Sequence, residues 1–144
     1  MKKNDHIIKQ ISVFSENKPG RLAAIARALQ DEKINIFAFS IAEAKGFGVV
    51  RLLVDKPEAA LKKLADIGFM VSFTDVIAVR MKDKPGGLFD IAKILGESEI
   101  NIEYSYAYSG KEAAVLILRV DRIDEAIEKL IKCGADLLKA EMFS

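Results

Sequence analysis

Asn17-Lys18-Pro19-Gly20-Arg21-Leu22 returns 66 positions later as Asp83-Lys84-Pro85-Gly86-Gly87-Leu88. The match continues without a gap: Ile25, Ala26, Leu29, Ile34, Asn35 and Ile36 fall on Ile91, Ala92, Leu95, Ile100, Asn101 and Ile102. Further on, Val49, Leu52, Val54 and Asp55 fall on Val115, Leu118, Val120 and Asp121. One offset serves the whole chain, so its 144 residues are one unit written twice. Two copies are too few for a solenoid, which needs about three or more. Each copy is therefore expected to have its own core, as domains 1–74 and 75–144.

Within a copy, Ile7 to Phe14 and Val76 to Met81 are apolar and β-branched and end at the Pro-Gly turn, which predicts a first strand. Leu22, Ile25, Ala26 and Leu29 then recur at helical spacing, as do Leu88, Ile91, Ala92 and Leu95. A second strand is predicted over Ile34 to Ala42 and Ile100 to Tyr108, a turn at Lys45-Gly46 or Gly110-Lys111, and a third strand over Val49 to Val54 and Val115 to Val120. A second helix fits Glu58 to Ile67 and Arg122 to Cys133, with Gly68 or Gly134 where a C-terminal cap belongs. Phe69 to Phe73 and Ala135 to Ala140 supply the last strands. The order is that of the ferredoxin-like βαββαβ plait, so the fold class is α+β: two tandem antiparallel sheets with helices on one face.

Side chains alternate along a strand, which puts Ile34 and Ile36 on one face and Asn35, Phe37, Phe39 and Ile41 on the other. The equivalent second-copy row, Asn101, Glu103, Ser105 and Ala107, is mostly polar. The first copy is thus expected to bury its open face against a second chain or its own partner domain, because exposed apolar patches mark interfaces. Tyr104, Tyr106 and Tyr108 share the parity of Ile100 and Ile102, which predicts packing under the helices, with a hydroxyl lining the site as the alternative.

Lys and Arg number 22 against 21 Asp and Glu, so no net charge draws the chain to nucleic acid or an anionic membrane. The single cysteine, Cys133, excludes a disulfide framework and a multi-cysteine metal site, and is expected to be a partly buried, inert thiol. His6, the only histidine, has no companions at ligand spacing and is read as tail. The start is basic but lacks a signal-peptide apolar region, and no stretch approaches the roughly 18 apolar residues of a membrane span. A cytoplasmic location is expected, with no cofactor and no metal. The third strands, Val49 to Val54 and Val115 to Val120, lack the stacking aromatics of RNA-binding plaits. Near the turns only Asp83 offers acid–base chemistry, so no enzyme is expected.

A Pro-Gly turn is common, and each copy can be read simply as a helix cap. Each is also paired with an asparagine fifteen residues beyond its glycine, Asn35 or Asn101, at the start of a strand that asparagine disfavours. A helix N-terminus offers unpaired N–H groups to a carboxylate. Gly20 and Gly86 allow close approach, while Asn17, Asn35, Asn101 or Asp83 can accept hydrogen bonds from an ammonium group. The chemistry suits an α-amino acid.

Ser15-Glu16-Asn17-Lys18-Pro19-Gly20-Arg21-Leu22 followed by Ile34-Asn35-Ile36, and Lys82-Asp83-Lys84-Pro85-Gly86-Gly87-Leu88 followed by Ile100-Asn101-Ile102, resemble the signature of ACT domains. The resemblance implies the plait deduced above and amino-acid binding where two such domains meet, through the loop before the first helix and the start of the second strand. It implicates Asn17, Pro19, Gly20, Arg21, Leu22 and Asn35 in the first copy, and Asp83, Pro85, Gly86, Gly87, Leu88 and Asn101 in the second. Because Asn17 faces Asp83 and Arg21 faces Gly87 across the repeat, the two sites need not share a ligand. A free-standing tandem of this kind implies a small regulatory protein, a homodimer, that modulates an enzyme or transcription partner in amino-acid metabolism. The rival expectation is a ligandless ACT-fold scaffold for oligomerisation.

Overall fold

In the computed structural model, residues 5–109 and 113–143 are described. In chain order the elements are β1 (Ile8–Glu16), α1 (Arg21–Asp31), β2 (Ile36–Ala44), β3 (Phe47–Val54), α2 (Pro57–Asp66), β4 (Met70–Met81), α3 (Gly87–Glu97), β5 (Ile102–Ser109), β6 (Ala114–Val120), α4 (Ile123–Lys132) and β7 (Asp136–Leu137), ending in a 3-10 turn over Ala140–Phe143. By contact the chain divides into a first unit, Lys9–Thr74 with Phe143, and a second, Asp75–Met142 with residues 5–8. The expected last strand of copy one and first strand of copy two run together as β4, twelve residues without a break. Between Phe73 and Val76 stand only Thr74 and Asp75, with no proline or glycine to interrupt the ladder.

In the first unit the strand order is β2-β3-β1-β4. Ile11 faces Leu52 and Val13 faces Val50 across the antiparallel β1/β3 ladder, and these four pack with Ile25, Ala28 and Leu29 of α1 and Ala60 and Leu64 of α2. In the second unit the order is β5-β6-β4-β7. There Ile77 faces Leu118 and Val79 faces Leu116, beneath Ile91 and Leu95 of α3 and Ala126, Ile127 and Leu130 of α4. Each fully buried Ile or Leu contributes about 1.5–3 kcal/mol. This is the α+β plait expected from the element order, present twice.

The helix stripes differ slightly from expectation. Leu22 and Leu88, in the first turns, are exposed, and Ala28 rather than Ala26 completes the buried face of α1. The C-terminal glycines behave as expected: Gly68 and Gly134 take φ of 102° and 82°, the left-handed conformation that ends a helix. Lys45 and Gly46, with φ of 54° and 81°, make the tight first hairpin turn. Its expected counterpart at Gly110-Lys111 lies outside the described residues. The expected strand Ala135 to Ala140 shortens to two residues before the 3-10 turn. His6, expected as loose tail, is half-buried, its Nδ1 3.3 Å from the Leu138 carbonyl oxygen.

Two β-bulges overturn the face assignments drawn from strict alternation. In β2 the register against β3 shifts between Ile36 and Ala38, so Phe37 is an extra residue; Ile36 then faces Val54, while Phe39 faces Leu52 and Ile41 faces Val50. Residues opposed across a ladder share a face, and Val50, Leu52 and Val54 are in the core under the helices. Phe39 and Ile41 therefore sit on the helix side, not the open side, and remain 50% and 44% exposed. Phe37 instead packs edge-on against Phe143, ring centroids 5.5 Å apart. In β5 a shift between Ile102 and Tyr104 does the same: Tyr104, Tyr106 and Tyr108 face Arg119, Ile117 and Val115. Leu116 and Leu118 are the core-facing residues of that stretch of β6, so the tyrosines lie half-buried on the open face, not under the helices.

Candidate ligand site

Both turns enter their helices through a glycine in the left-handed region, Gly20 at φ 90° and Gly86 at φ 93°, with no side chain capping the helix end. The space a Cβ would take at either glycine is open. The Ala24 N–H donates to the Gly20 carbonyl (3.0 Å) and the Asp90 N–H to the Gly86 carbonyl (3.1 Å), which starts each helix. The Arg21 and Gly87 N–H groups turn back to the Lys18 and Lys84 carbonyls (3.2 and 3.1 Å), so the N–H groups of Leu22 and Ala23, and of Leu88 and Phe89, are the ones at the open end. The first turn is tied down by the Asn17 N–H, which donates to the Gly46 carbonyl at 2.9 Å.

Charge separates the two turns. Lys18 Nζ lies 2.6 Å from Glu16 Oε2, and the hydrogen bond and charge of Lys18 hold the Glu16 carboxyl below the usual carboxylate range. In the second copy Lys82 stands where Glu16 was, so the ion pair of the first turn has no counterpart at that position.

Each unit carries a cleft between the end of its first strand, the start of its first helix and the loop after its second helix. In the first unit it measures about 310 Å³, with Glu16 and Arg21 on one side and Phe47, Gly68, Phe69 and Met70 on the other. In the second it measures about 800 Å³, with Lys82, Asp83, Lys84, Gly87 and Asp90 on one side and Ala113, Cys133, Gly134 and Asp136 on the other. Ile91 and Ile94 of α3 also line it. Arg80 Nη1 donates to Asp136 Oδ2 at 3.0 Å.

Of the twelve residues singled out from the sequence, Arg21 lines the smaller cleft and Asp83 and Gly87 the larger. Asn17, Pro19, Gly20 and Leu22, like Pro85, Gly86 and Leu88, are exposed on the turns outside them. Asn35 and Asn101 are not brought to the turns of their own unit. Each follows its helix at the far end, about 16 Å away for eleven residues at roughly 1.5 Å each. There the Asn35 N–H donates to Asp55 Oδ1 (3.0 Å) and the Asp55 N–H to the Asn35 carbonyl (3.1 Å). Asn101 and Asp121 repeat the exchange at 3.1 and 3.2 Å. Gly87 also proves tighter than a glycine beside an open site: a Cβ there would lie 2.0 Å from the Lys82 carbonyl oxygen.

Sequence reasoning missed Asp90, Ala113, Ala135 and the exposed Cys133, which is not the partly buried thiol expected. The signal was the size contrast across the repeat, Phe47 against Ala113 and Phe69 against Ala135. Among the described residues no group of three or more His, Cys, Asp or Glu could hold a metal ion. No helix among them is long and apolar enough to cross a membrane.

Two tandem plaits, each opening its first helix through an uncapped glycine turn, define a class of paired α+β domains. The chain belongs to the ACT domain pair family, whose profile matches residues 6–143. Among solved structures it is similar to protein BT0572 from Bacteroides thetaiotaomicron, 37% identical with a TM-score of 0.91 over 96% of both chains. The regulatory subunit of aspartate kinase from Thermus thermophilus, in a ligand-free form, shares the fold at 15% identity, with a TM-score of 0.65 over 90% of this chain and 95% of that one. A structure of aspartokinase alpha and beta subunits does so at 18% identity, with a TM-score of 0.58 over 90% and 92%. A comparison with curated proteins finds no match.

Proposed function

We propose that this chain is a regulatory protein that binds free amino acids beside its glycine turns and modulates a partner in amino-acid metabolism. The observation that carries the reading is the pair of uncapped helix N-termini behind Gly20 and Gly86, set among side chains of both signs. Unpaired N–H groups and the helix dipole suit a carboxylate, and neighbouring acids suit an ammonium group. Membership of the ACT domain pair family and the likeness to a regulatory subunit of aspartate kinase support it. The partner is an enzyme or a transcription factor rather than nucleic acid or a membrane.

Thermal melts against the twenty amino acids test this. A ligand at about 100 times its Kd adds roughly 2.7 kcal/mol, a shift of several degrees at this size. If no amino acid moves the midpoint, the regulatory reading fails and the ligandless scaffold stands.

The scaffold reading draws on exposed Phe39 and Ile41 along β2, a surface that suits a second copy of the chain. A homodimer also fits ligand binding: one helix length separates turn from asparagine within a unit, so Asn35 or Asn101 reaches a ligand only from another domain. A strictly monomeric species in light scattering would remove the homodimer.

A further inference from the structure

The two clefts are one site in two states of repair. All nine residues lining the first-unit cleft have their counterparts, 66 positions on, lining the second. What differs is size and charge. Phe47 gives way to Ala113, Phe69 to Ala135, Met70 to Asp136 and Arg21 to Gly87. Three bulky apolar side chains and one long cation thus become two methyl groups, a short acid and no side chain. The cleft volume rises from about 310 to about 800 Å³, the upper part of the roughly 300–1,000 Å³ range of small-molecule sites.

The charges point the same way. In the first unit Lys18 is taken up by Glu16 and no acid other than Glu16 lines the cleft. In the second, Lys82, Asp83, Lys84 and Asp90 line one side of the opening, beside the Arg80–Asp136 pair; none of the four makes an ion pair of its own among the described residues. Two cations and two anions suit a zwitterion and disfavour a phosphate or any polyanion, which the two aspartates would repel. Behind them Met81, Ile91 and Ile94 make an apolar floor.

We infer that the second-unit cleft is the amino-acid site, that it takes a free α-amino acid with an aliphatic side chain, and that its first-unit twin is closed by Phe47, Phe69 and Arg21. The inference rests on the amino-acid reading above and adds which unit binds and what it selects.

The chain carries its own reporter, since its only thiol, Cys133, is exposed on the cleft wall. The experiment follows alkylation of Cys133 by iodoacetamide in the full chain, alongside melts, with leucine, isoleucine, valine, methionine, aspartate, lysine and inorganic phosphate. An aliphatic amino acid at about ten times its Kd is expected to slow alkylation about tenfold, by mass action; phosphate is expected to leave the rate unchanged. Ala135→Phe, which restores the first unit's residue, is expected to abolish both protection and melt shift. Asp90→Asn alters an exposed side chain and keeps the fold whether or not Ala135→Phe does; it is expected to weaken binding roughly tenfold or more through loss of a charged hydrogen-bond acceptor. An amino acid that shifts the melt without slowing alkylation, and still does so in both variants, moves the site elsewhere and overturns the inference while the regulatory reading survives. Protection by phosphate, or by aspartate or lysine ahead of the aliphatic amino acids, overturns the ligand class. If no amino acid alters melt or alkylation, both readings fall.

Discussion

Gly86 and Gly87 are adjacent, yet the structure makes opposite demands on them, and alanine at each position separates the two. At Gly87 a Cβ would lie 2.0 Å from the Lys82 carbonyl oxygen, so strand end and helix start must part by more than 1 Å to reach an ordinary contact. Overpacking of this kind costs about 1–3 kcal/mol, offset in part by up to about 1 kcal/mol from the better helix propensity of alanine. A net loss of about 1–2 kcal/mol, or roughly 2–8 °C in Tm, is expected for Gly87→Ala. Gly86 has open space around it but a φ of 93°, and Gly86→Ala is expected to lose about 1–2 kcal/mol from left-handed backbone strain alone. Asparagine, which tolerates that region, should recover much of the loss at Gly86 and none at Gly87. Urea titrations of the four variants, read as shifts in midpoint at constant m-value, decide the matter. If Gly87→Ala is as stable as the parent, or if asparagine rescues both positions alike, the close approach of Lys82 does not constrain this turn.

Phe143→Ala removes a buried ring that packs on Phe37; a loss of about 3 kcal/mol is expected, and hydrogen exchange should quicken first in β2 and β3 although the change lies at residue 143. Asp55→Ala and Asp121→Ala each strip an acceptor from the backbone N–H of Asn35 or Asn101, and each is expected to cost about 1 kcal/mol in denaturant titrations. Burial raises the Tyr108 phenol above its ordinary value, with Arg80 pulling the other way. Ultraviolet titration should therefore find Tyr108 ionising late, and later still after Arg80→Gln. Because the folded state favours the neutral phenol, its stabilising contribution is complete below the unfolded value of about 10 and is lost as pH rises through the folded value. Unchanged late ionisation after Arg80→Gln would show that the guanidinium is not felt at the phenol.

Local chemistry is legible along the chain. The 66-residue offset, the Pro-Gly turns, Lys45-Gly46, and the capping positions of Gly68 and Gly134 depend on backbone preferences that a residue carries wherever it sits. That is why the element order, and with it the plait, follows from the sequence. Alternation is a weaker guide, because a bulge at Phe37 or Glu103 reverses every face assignment after it and leaves no mark in composition. The fused strand β4 is a similar case: only the ladder decides whether two apolar runs separated by Thr74-Asp75 are one strand or two.

The turns with which the repeat begins show the same division. That each opens a helix through a left-handed glycine is settled by Pro19-Gly20 and Pro85-Gly86, since few other residues accept that backbone. Where a ligand would have room beside them depends on residues far away in the chain. Ala113, Cys133 and Ala135 meet Asp83 and Asp90 only because α3 and α4 pack side by side over one sheet. The sequence alone determined two copies, their elements and their turns, since these are local backbone choices. Tertiary packing decided that Asn35 and Asn101 lie a helix length from the turns of their own unit, and that one copy has an open cleft where the other is filled, since distance and volume exist only once the chain has folded.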